Sequence, residues 1–78
     1  MTIANVKHPS HYVKVIDGEQ HECIDTIKLM VHGLDSMSAV CVGNCTKYLW
    51  RFTAKNGLED LKKARQYLDM LIEECDDD

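Results

Sequence analysis

The sequence has few of the residues that build linkers and no stretch suited to a membrane. One proline and four glycines in 78 residues leave little room for linkers or low-complexity segments. No apolar run approaches the roughly 20 residues of a membrane-spanning helix, and no secretory signal peptide is recognisable. We therefore expect one soluble, cytoplasmic domain over residues 1–78, with no membrane partner.

Several motifs of common cofactor and metal sites are missing as well. The four cysteines contain no C-x-x-C pair, and no set of cysteines and histidines has structural-zinc spacing, so we expect reduced thiols and no metal. The Walker A motif and the glycine-rich dinucleotide motif are also absent. A phosphoryl-transfer enzyme would have to work without a P-loop, and no catalytic residue can be assigned.

Charge is unevenly distributed along the chain. The formal net charge is −4, but residues 73–78 contain five acidic side chains, so residues 1–72 sum to +1. Residues 47–65 contain six cations and two acidic side chains, a local net charge of +4. The sequence therefore predicts a mildly basic body with an acidic tail over residues 76–78. The basic region is too small to favour a specific nucleic-acid partner.

Hydrophobic periodicity predicts a mainly α fold, a small three-helix domain. The predicted helices cover residues 22–32, 35–55 and 58–75. Gly33 suits the end of the first helix, and Asp35 or Ser36 suits the start of the second. Because Asn56-Gly57 is a short connection, helices two and three are expected to form an antiparallel hairpin.

The first 20 residues lack helical periodicity. They are expected to form an extended N-terminal arm in front of a helical core over residues 21–75. Within this arm, Val13–Ile16 followed by Asp17-Gly18 is compatible with a short strand that enters a turn.

The second predicted helix has two contrasting faces. A polar, mostly cationic stripe at helical spacing contains Asn44, Lys47, Arg51 and Lys55. An apolar stripe beside it contains Val42, Cys45, Leu49 and Phe52. Gly43 lies within this helix at a cost of about 1 kcal/mol relative to alanine, which indicates a close approach by another helix or by a ligand.

The cationic stripe is a candidate phosphate site. Arginine can bind phosphate with two parallel hydrogen bonds and lysine supplies a mobile charge, so Lys47 and Arg51 are the leading candidates. Asn44 can contact a base or a ribose, and Tyr48 can stack on a base. On the third helix, Lys63 and Tyr67 are four residues apart and can face the same cleft. The alternative is a solvated cationic face, with the tyrosines in packing roles.

Two smaller groups of residues are also candidates. His8, His11 and Tyr12 can contact phosphate or transfer protons, or the imidazoles can simply cap a helix end. Glu22 and Asp25 can hold Mg²⁺ through phosphate if the protein is an enzyme, or they can be a favourable charge pair in a first helical turn.

Four motifs follow one another along the chain, at residues 8–12, 22–25, 43–51 and 58–68. They read His-Pro-x-His-Tyr, Glu-Cys-Ile-Asp, Gly-Asn-x-x-Lys-Tyr-Leu-x-Arg and Leu-Glu-Asp-Leu-x-Lys-Ala-x-x-Tyr-Leu. In this order they resemble the small phage-encoded SaV-like family, a domain of unknown function whose relatives include the podophage nucleotide kinase. The resemblance implies phage origin, a helical fold, nucleotide ligands and a location in the host cytoplasm during infection.

Three functions are therefore expected, in order of preference. The first is binding of a nucleotide or cyclic nucleotide without turnover, as a sponge for an immune signal. The second is a deoxynucleoside monophosphate kinase, and the third is an inhibitor of a host protein. A chain this small gains stability from self-association, so a homo-oligomer is also expected. Arg51→Ala is expected to abolish ligand binding and to leave the helices intact.

Overall fold

A computed structural model describes residues 10–76 of the chain. A short 3-10 turn, a β-hairpin and three α-helices follow one another. Their bounds are Ser10–Tyr12 for the turn, Val13–Ile16 for β1, Glu19–Glu22 for β2, Cys23–Val31 for α1, Ser36–Arg51 for α2 and Leu58–Cys75 for α3. The prediction of a mainly α domain with three helices is confirmed. None of the helices within residues 10–76 has the length and apolarity that crossing a membrane requires.

The prediction of an extended N-terminal arm needs correction, because β1 and β2 form a small antiparallel sheet. The predicted strand Val13–Ile16 is present as β1. It is joined to β2 by Asp17 and Gly18, which both have positive φ angles, at 52° and 81°. Two central residues with positive φ are typical of the type I′ turn that matches the twist of a hairpin. Ile16 pairs with Glu19 directly across this turn.

Most helix ends lie where the sequence predicts them. Gly33, with φ of +82°, follows α1, and the Asp35 carboxylate accepts a hydrogen bond from the Ser38 N–H at 2.8 Å at the start of α2. The bounds of α3, Leu58–Cys75, agree with the prediction. The caps therefore act as their residue types indicate.

The end of α2 is an exception, because the helix stops at Arg51 and not at residue 55. Residues 52–57 form turns, in which the Gly57 N–H donates to the Phe52 carbonyl at 2.8 Å. The Asn56 N–H donates to the Asp60 carboxylate at 3.3 Å. A contact from α3 thus holds this loop in place, and Lys55 lies in the loop rather than on the helix.

The buried core is small. Its buried apolar members are Cys23, Cys41 and Ala64, and its buried polar members are Arg51 and Asp60. Leu49, from the predicted apolar stripe of α2, is half exposed. Gly43 faces α1, where a Cβ atom would lie 3.5 Å from Cγ2 of Ile27. The close approach that Gly43 indicated is therefore made by another helix.

The most extensive packing in the molecule is between α2 and α3. Arg51, the last residue of α2, contacts Asp60 in the first turn of α3, and Tyr48 stacks on Tyr67 further along α3. These contacts run in opposite order along the two helices. This is the order that an antiparallel hairpin requires.

Candidate functional site

A buried ion pair joins the end of α2 to the start of α3. The Arg51 guanidinium donates from Nε to Oδ2 of Asp60 at 3.2 Å and from Nη2 to Oδ1 at 3.1 Å. Arg51 is 7% exposed and Asp60 is 0% exposed. Two parallel bonds of this kind fix an arginine in position and orientation. We call this contact the Arg51–Asp60 pair.

The remaining partners of the Arg51–Asp60 pair come from two other segments. The Arg51 Nη1 group donates to the Tyr12 hydroxyl, which ties the 3-10 turn to α2. Asn56 donates to Asp60 from its backbone N–H and from its side-chain amide. Each Asp60 oxygen therefore accepts two hydrogen bonds, so the buried carboxylate is well satisfied.

These contacts shift the titration of both partners. Hydrogen bonds from Arg51, and then from Asn56, hold the pKa of Asp60 below its ordinary value, although burial opposes the shift. The hydrogen bond to Asp60 raises the pKa of Arg51, again against burial. Both groups are charged at neutral pH, so the pair is an ion pair in the folded state.

A second group of side chains surrounds the ring of Tyr48. The Lys47 Nζ lies 4.6 Å from the ring centroid and the Lys63 Nζ lies 5.6 Å from it. Tyr67 stacks on Tyr48 with centroids 6.1 Å apart and planes 17° apart. We call Lys47, Tyr48, Lys63 and Tyr67 the Tyr48 cluster. The Arg51 Cζ lies 4.8 Å from the same ring and links the cluster to the Arg51–Asp60 pair.

The lysines of the Tyr48 cluster have little compensating negative charge. Lys63 contacts Glu59 at 3.5 Å, but that carboxylate side chain is 68% exposed. Lys47 has no salt-bridge partner among residues 10–76. An exposed ion pair contributes little, so the local potential around the ring stays positive.

Lys14 adds a further cation that the sequence did not indicate. Its Nζ lies 5.3 Å from the Trp50 ring centroid, and the buried Trp50 Nε1 finds no hydrogen-bond partner within residues 10–76. Burial raises the pKa of Cys23, whereas Lys14 and Lys47 both act to lower it. The two lysines therefore lie near the same thiol, and β1 contributes a cation to the basic side of the molecule.

The other predicted site residues lie at the margin of this region or outside it. The Asn44 Nδ2 donates to the Val40 carbonyl of its own helix at 3.1 Å. The ring centroids of His11 and Tyr12 lie 4.3 Å apart. Burial lowers the pKa of His11, and the charges of Lys55 and Arg51 lower it further, while Asp60 acts to raise it. His8 lies outside the described residues.

The structure thus links six of the predicted residues through contacts with Arg51 or Tyr48. They are Tyr12, Lys47, Tyr48, Arg51, Lys63 and Tyr67. The sequence indicated Asp60, the residue that positions Arg51, only as one of the two acidic side chains within residues 47–65. Its place in the Leu-Glu-Asp-Leu motif, nine residues after Arg51, was the available signal. Periodicity could not show that it is buried.

Glu22 and Asp25, for which Mg²⁺ binding was one of two alternatives, do not lie on the same helix or strand. Glu22 is the last residue of β2 and precedes α1, whereas Asp25 is exposed in the first turn of α1. Within residues 10–76, no three His, Cys, Asp or Glu side chains are grouped closely enough to hold a metal ion. The four cysteines are free thiols.

These features define a small helical domain with a basic, aromatic surface where α2 and α3 meet. Its sequence matches the model of a family described as proteins of unknown function, DUF3310, over residues 6–69, and the chain belongs to that family. Comparison with curated proteins and with solved structures gives no match. The family assignment confirms a domain family of unknown function, and the likeness to SaV-like proteins and the podophage kinase stays a prediction.

Proposed function

We propose that this protein binds a nucleotide at the Tyr48 cluster and releases it chemically unchanged. The observation that carries the proposal is the convergence of Lys47 and Lys63, from two different helices, on the ring of Tyr48 at 4.6 and 5.6 Å. Cations held near one another repel, and a phosphate group placed between them removes that repulsion. Such an arrangement favours a polyanionic ligand.

The aromatic members of the cluster favour a ligand that also carries a base. Tyr48 and Tyr67 are half-buried and stacked nearly parallel, so the aromatic pair lies beside the two lysines as a candidate stacking partner for a base. Stacking of a base on an aromatic side chain contributes about 1–3 kcal/mol. The Arg51 guanidinium also lies 4.8 Å from the Tyr48 ring, but Asp60 balances its charge, so the two lysines carry the attraction for phosphate.

Binding is favoured over phosphoryl transfer because the sequence lacks the Walker A motif that holds the donor phosphates in P-loop kinases. The lysine and tyrosine side chains of the cluster can hold a phosphate and a base, but they supply no carboxylate ligand for the Mg²⁺ that such kinases use. Given the resemblance to small phage proteins, we propose a cyclic or signalling nucleotide of bacterial immunity as the ligand. Capture of that signal would make the protein a sponge.

The proposal is tested by calorimetry with a panel of linear and cyclic nucleotides. Lys63→Met should weaken binding about 10- to 100-fold, the effect of losing one charge-assisted hydrogen bond. Lys62→Met is the matched control, because Lys62 is exposed on another side of α3, where it lines an open depression with Arg65 and Asp69. Equal losses in the two variants, or no binding by the wild type, would contradict the proposal.

The same samples distinguish the other two functions. Chromatography of the recovered ligand should return the compound that was added, whereas formation of dNDP from dNMP and ATP would indicate a kinase. Capture of a host protein from lysate by a chain with no nucleotide affinity would indicate an inhibitor.

A further inference from the structure

Helix α3 carries two seams with heptad-like spacing, and α2 covers only one of them. The seam against α2 contains Asp60, Ala64, Tyr67 and Leu71, all of them buried or half-buried. The second seam has spacings of 3, 4, 3, 4 and 3 residues. It contains Leu58, Leu61, Arg65, Leu68, Ile72 and Cys75. This is the a/d spacing by which one helix packs against another in a coiled coil.

The second seam is largely open to solvent, although Leu61 is half-buried. Leu58, Leu68 and Ile72 are 66%, 46% and 56% exposed. At its C-terminal end it continues into an apolar depression of about 330 Å³, lined by Leu71, Ile72, Cys75 and Asp76. Within residues 10–76 the buried apolar side chains are all small, so this exposed strip lacks an apolar cover in the described part of the fold.

The charges beside this seam identify a partner. Lys62 and Arg65 lie in the first half of α3, and Asp69 and Glu73 lie in the second half. All four line one open depression and therefore share one flank of the helix. Asp69 and Glu73 are like charges at i and i+4, which repel. None of the four has a salt-bridge partner among residues 10–76.

A second copy of α3 provides the missing charges only if it runs in the opposite direction. In an antiparallel pair related by a two-fold axis, the same flanks of the two helices face each other, with the basic half of one against the acidic half of the other. In a parallel pair, lysine would face lysine and glutamate would face glutamate. Charges that flank a seam set orientation in this way in coiled coils.

We propose that the protein forms a two-fold dimer in which the second seams of two α3 helices pack antiparallel. Because α3 spans Leu58–Cys75, full overlap pairs Leu58 with Cys75 of the second copy and Leu61 with its Ile72. In this register Arg65 lies opposite Leu68 of the second copy, beside its Asp69, and Lys62 lies opposite Leu71, two residues from its Glu73. Lys63 and Tyr67 lie on a different side of α3, so the Tyr48 cluster stays open in the dimer.

Sedimentation of the full chain over a concentration series tests the interface. The wild type should be a dimer, and Leu68→Glu should raise its dissociation constant at least 100-fold. Leu29→Glu is the matched control, because Leu29 is 81% exposed on α1 and lies outside the seam, and it should leave the constant unchanged. A wild-type monomer, or an equal effect of the two substitutions, would overturn the proposal. Circular dichroism checks that both variants fold.

Disulfide formation tests the direction of the two helices. Under mild oxidation, Leu58→Cys should produce a covalent dimer through the native Cys75 of the second copy. A bond within one chain is excluded, because the two positions lie about 26 Å apart along α3. The wild type should stay uncrosslinked, because the two Cys75 thiols lie at opposite ends of the interface. A Cys75–Cys75 dimer of the wild type, or no crosslink in the variant, would overturn the antiparallel arrangement.

Discussion

The Arg51–Asp60 pair and the Tyr48 cluster are neighbours at the contact between α2 and α3, and each contains a cation of α2 in a different environment. In the first region, Arg51 is buried and bonded to Asp60 and Tyr12. In the second, Lys47 is half-buried and its Nζ lies over the ring of Tyr48. Arg51 and Lys47 are one turn apart on the same predicted stripe. A periodic stripe of cations can therefore combine a buried structural residue with one whose charge has no fixed carboxylate partner among residues 10–76.

The difference lies in what opposes each charge. A buried guanidinium needs a fixed carboxylate, and Asp60 of α3 supplies it. The remaining acceptor positions of the Asp60 carboxylate take hydrogen bonds from Asn56. A half-exposed ammonium group is solvated and needs no such partner. The cation with a fixed partner therefore stabilises the fold, and the cation without one is available for an anion.

The largest expected effect is the loss of the Arg51–Asp60 pair. Arg51→Met should lower the free energy of unfolding by about 3–5 kcal/mol, because it leaves a carboxylate buried without its counter-charge. Lys47→Met should change the free energy by no more than about 0.5 kcal/mol, as for most surface substitutions. Urea unfolding measures both values. Equal effects of the two variants would remove the distinction between the regions.

This expectation replaces the sequence-based one for Arg51→Ala. The sequence predicted loss of ligand with the helices intact, whereas the buried contacts with Asp60 and Tyr12 lead us to expect that Arg51→Ala also destabilises the fold. Binding is therefore better tested through Lys63.

A partial loss of the same pair is expected in acid. The pKa of Asp60 is lowered in the folded state, mainly by its hydrogen bonds from Arg51, while the unfolded chain has the ordinary value of about 3.9. The stabilisation is therefore complete above about pH 4 and is lost as the pH falls through the folded-state pKa. Urea unfolding at decreasing pH should show the wild type losing its advantage over Asp60→Asn. A constant difference between the two proteins would contradict this.

The smallest expected effect is a change in the pKa of His11. Burial is the main cause that lowers the pKa of His11, and the charge of Lys55 is the next. Lys55→Met should therefore raise that pKa, as followed by NMR titration of the imidazole. Lys28→Met, a change of the same type on α1, should leave the His11 titration unchanged. A pKa that does not rise in the Lys55 variant would show that Lys55 is too far away to act.

Local signals were sufficient for much of the fold. Gly33, Asp35 and the bounds of α3 follow from capping preferences and periodicity, which depend on neighbours in sequence. Strand β2 was missed because Glu19-Gln20-His21-Glu22 has no apolar alternation, and it forms through the turn at Asp17 and Gly18. At the early end of α2, Asp60 bonds both Arg51 and Asn56, and the bond to Arg51 forms only once α3 folds back on α2, which helical periodicity does not report.

The candidate site could also be predicted only as far as local spacing allows. Spacing alone placed Lys47 and Arg51 together and paired Lys63 with Tyr67, and the structure brings all four to Tyr48. Spacing could not show that Arg51 is buried, because burial depends on which side of α2 meets α3. Lys14 was missed because its position depends on the hairpin that returns β1 to Trp50.

The state of the four thiols has a practical consequence for spectroscopy. Cys23 and Cys41 are buried, and burial raises the pKa of Cys23 and of Cys45, which keeps those sulfurs in the unreactive protonated form. Cys75 is exposed at the end of α3. A maleimide dye added at neutral pH should therefore attach to Cys75 first, at concentrations low enough that no second copy covers the end of α3. Under that condition the wild-type chain suits single-site fluorescence labelling without removal of any cysteine.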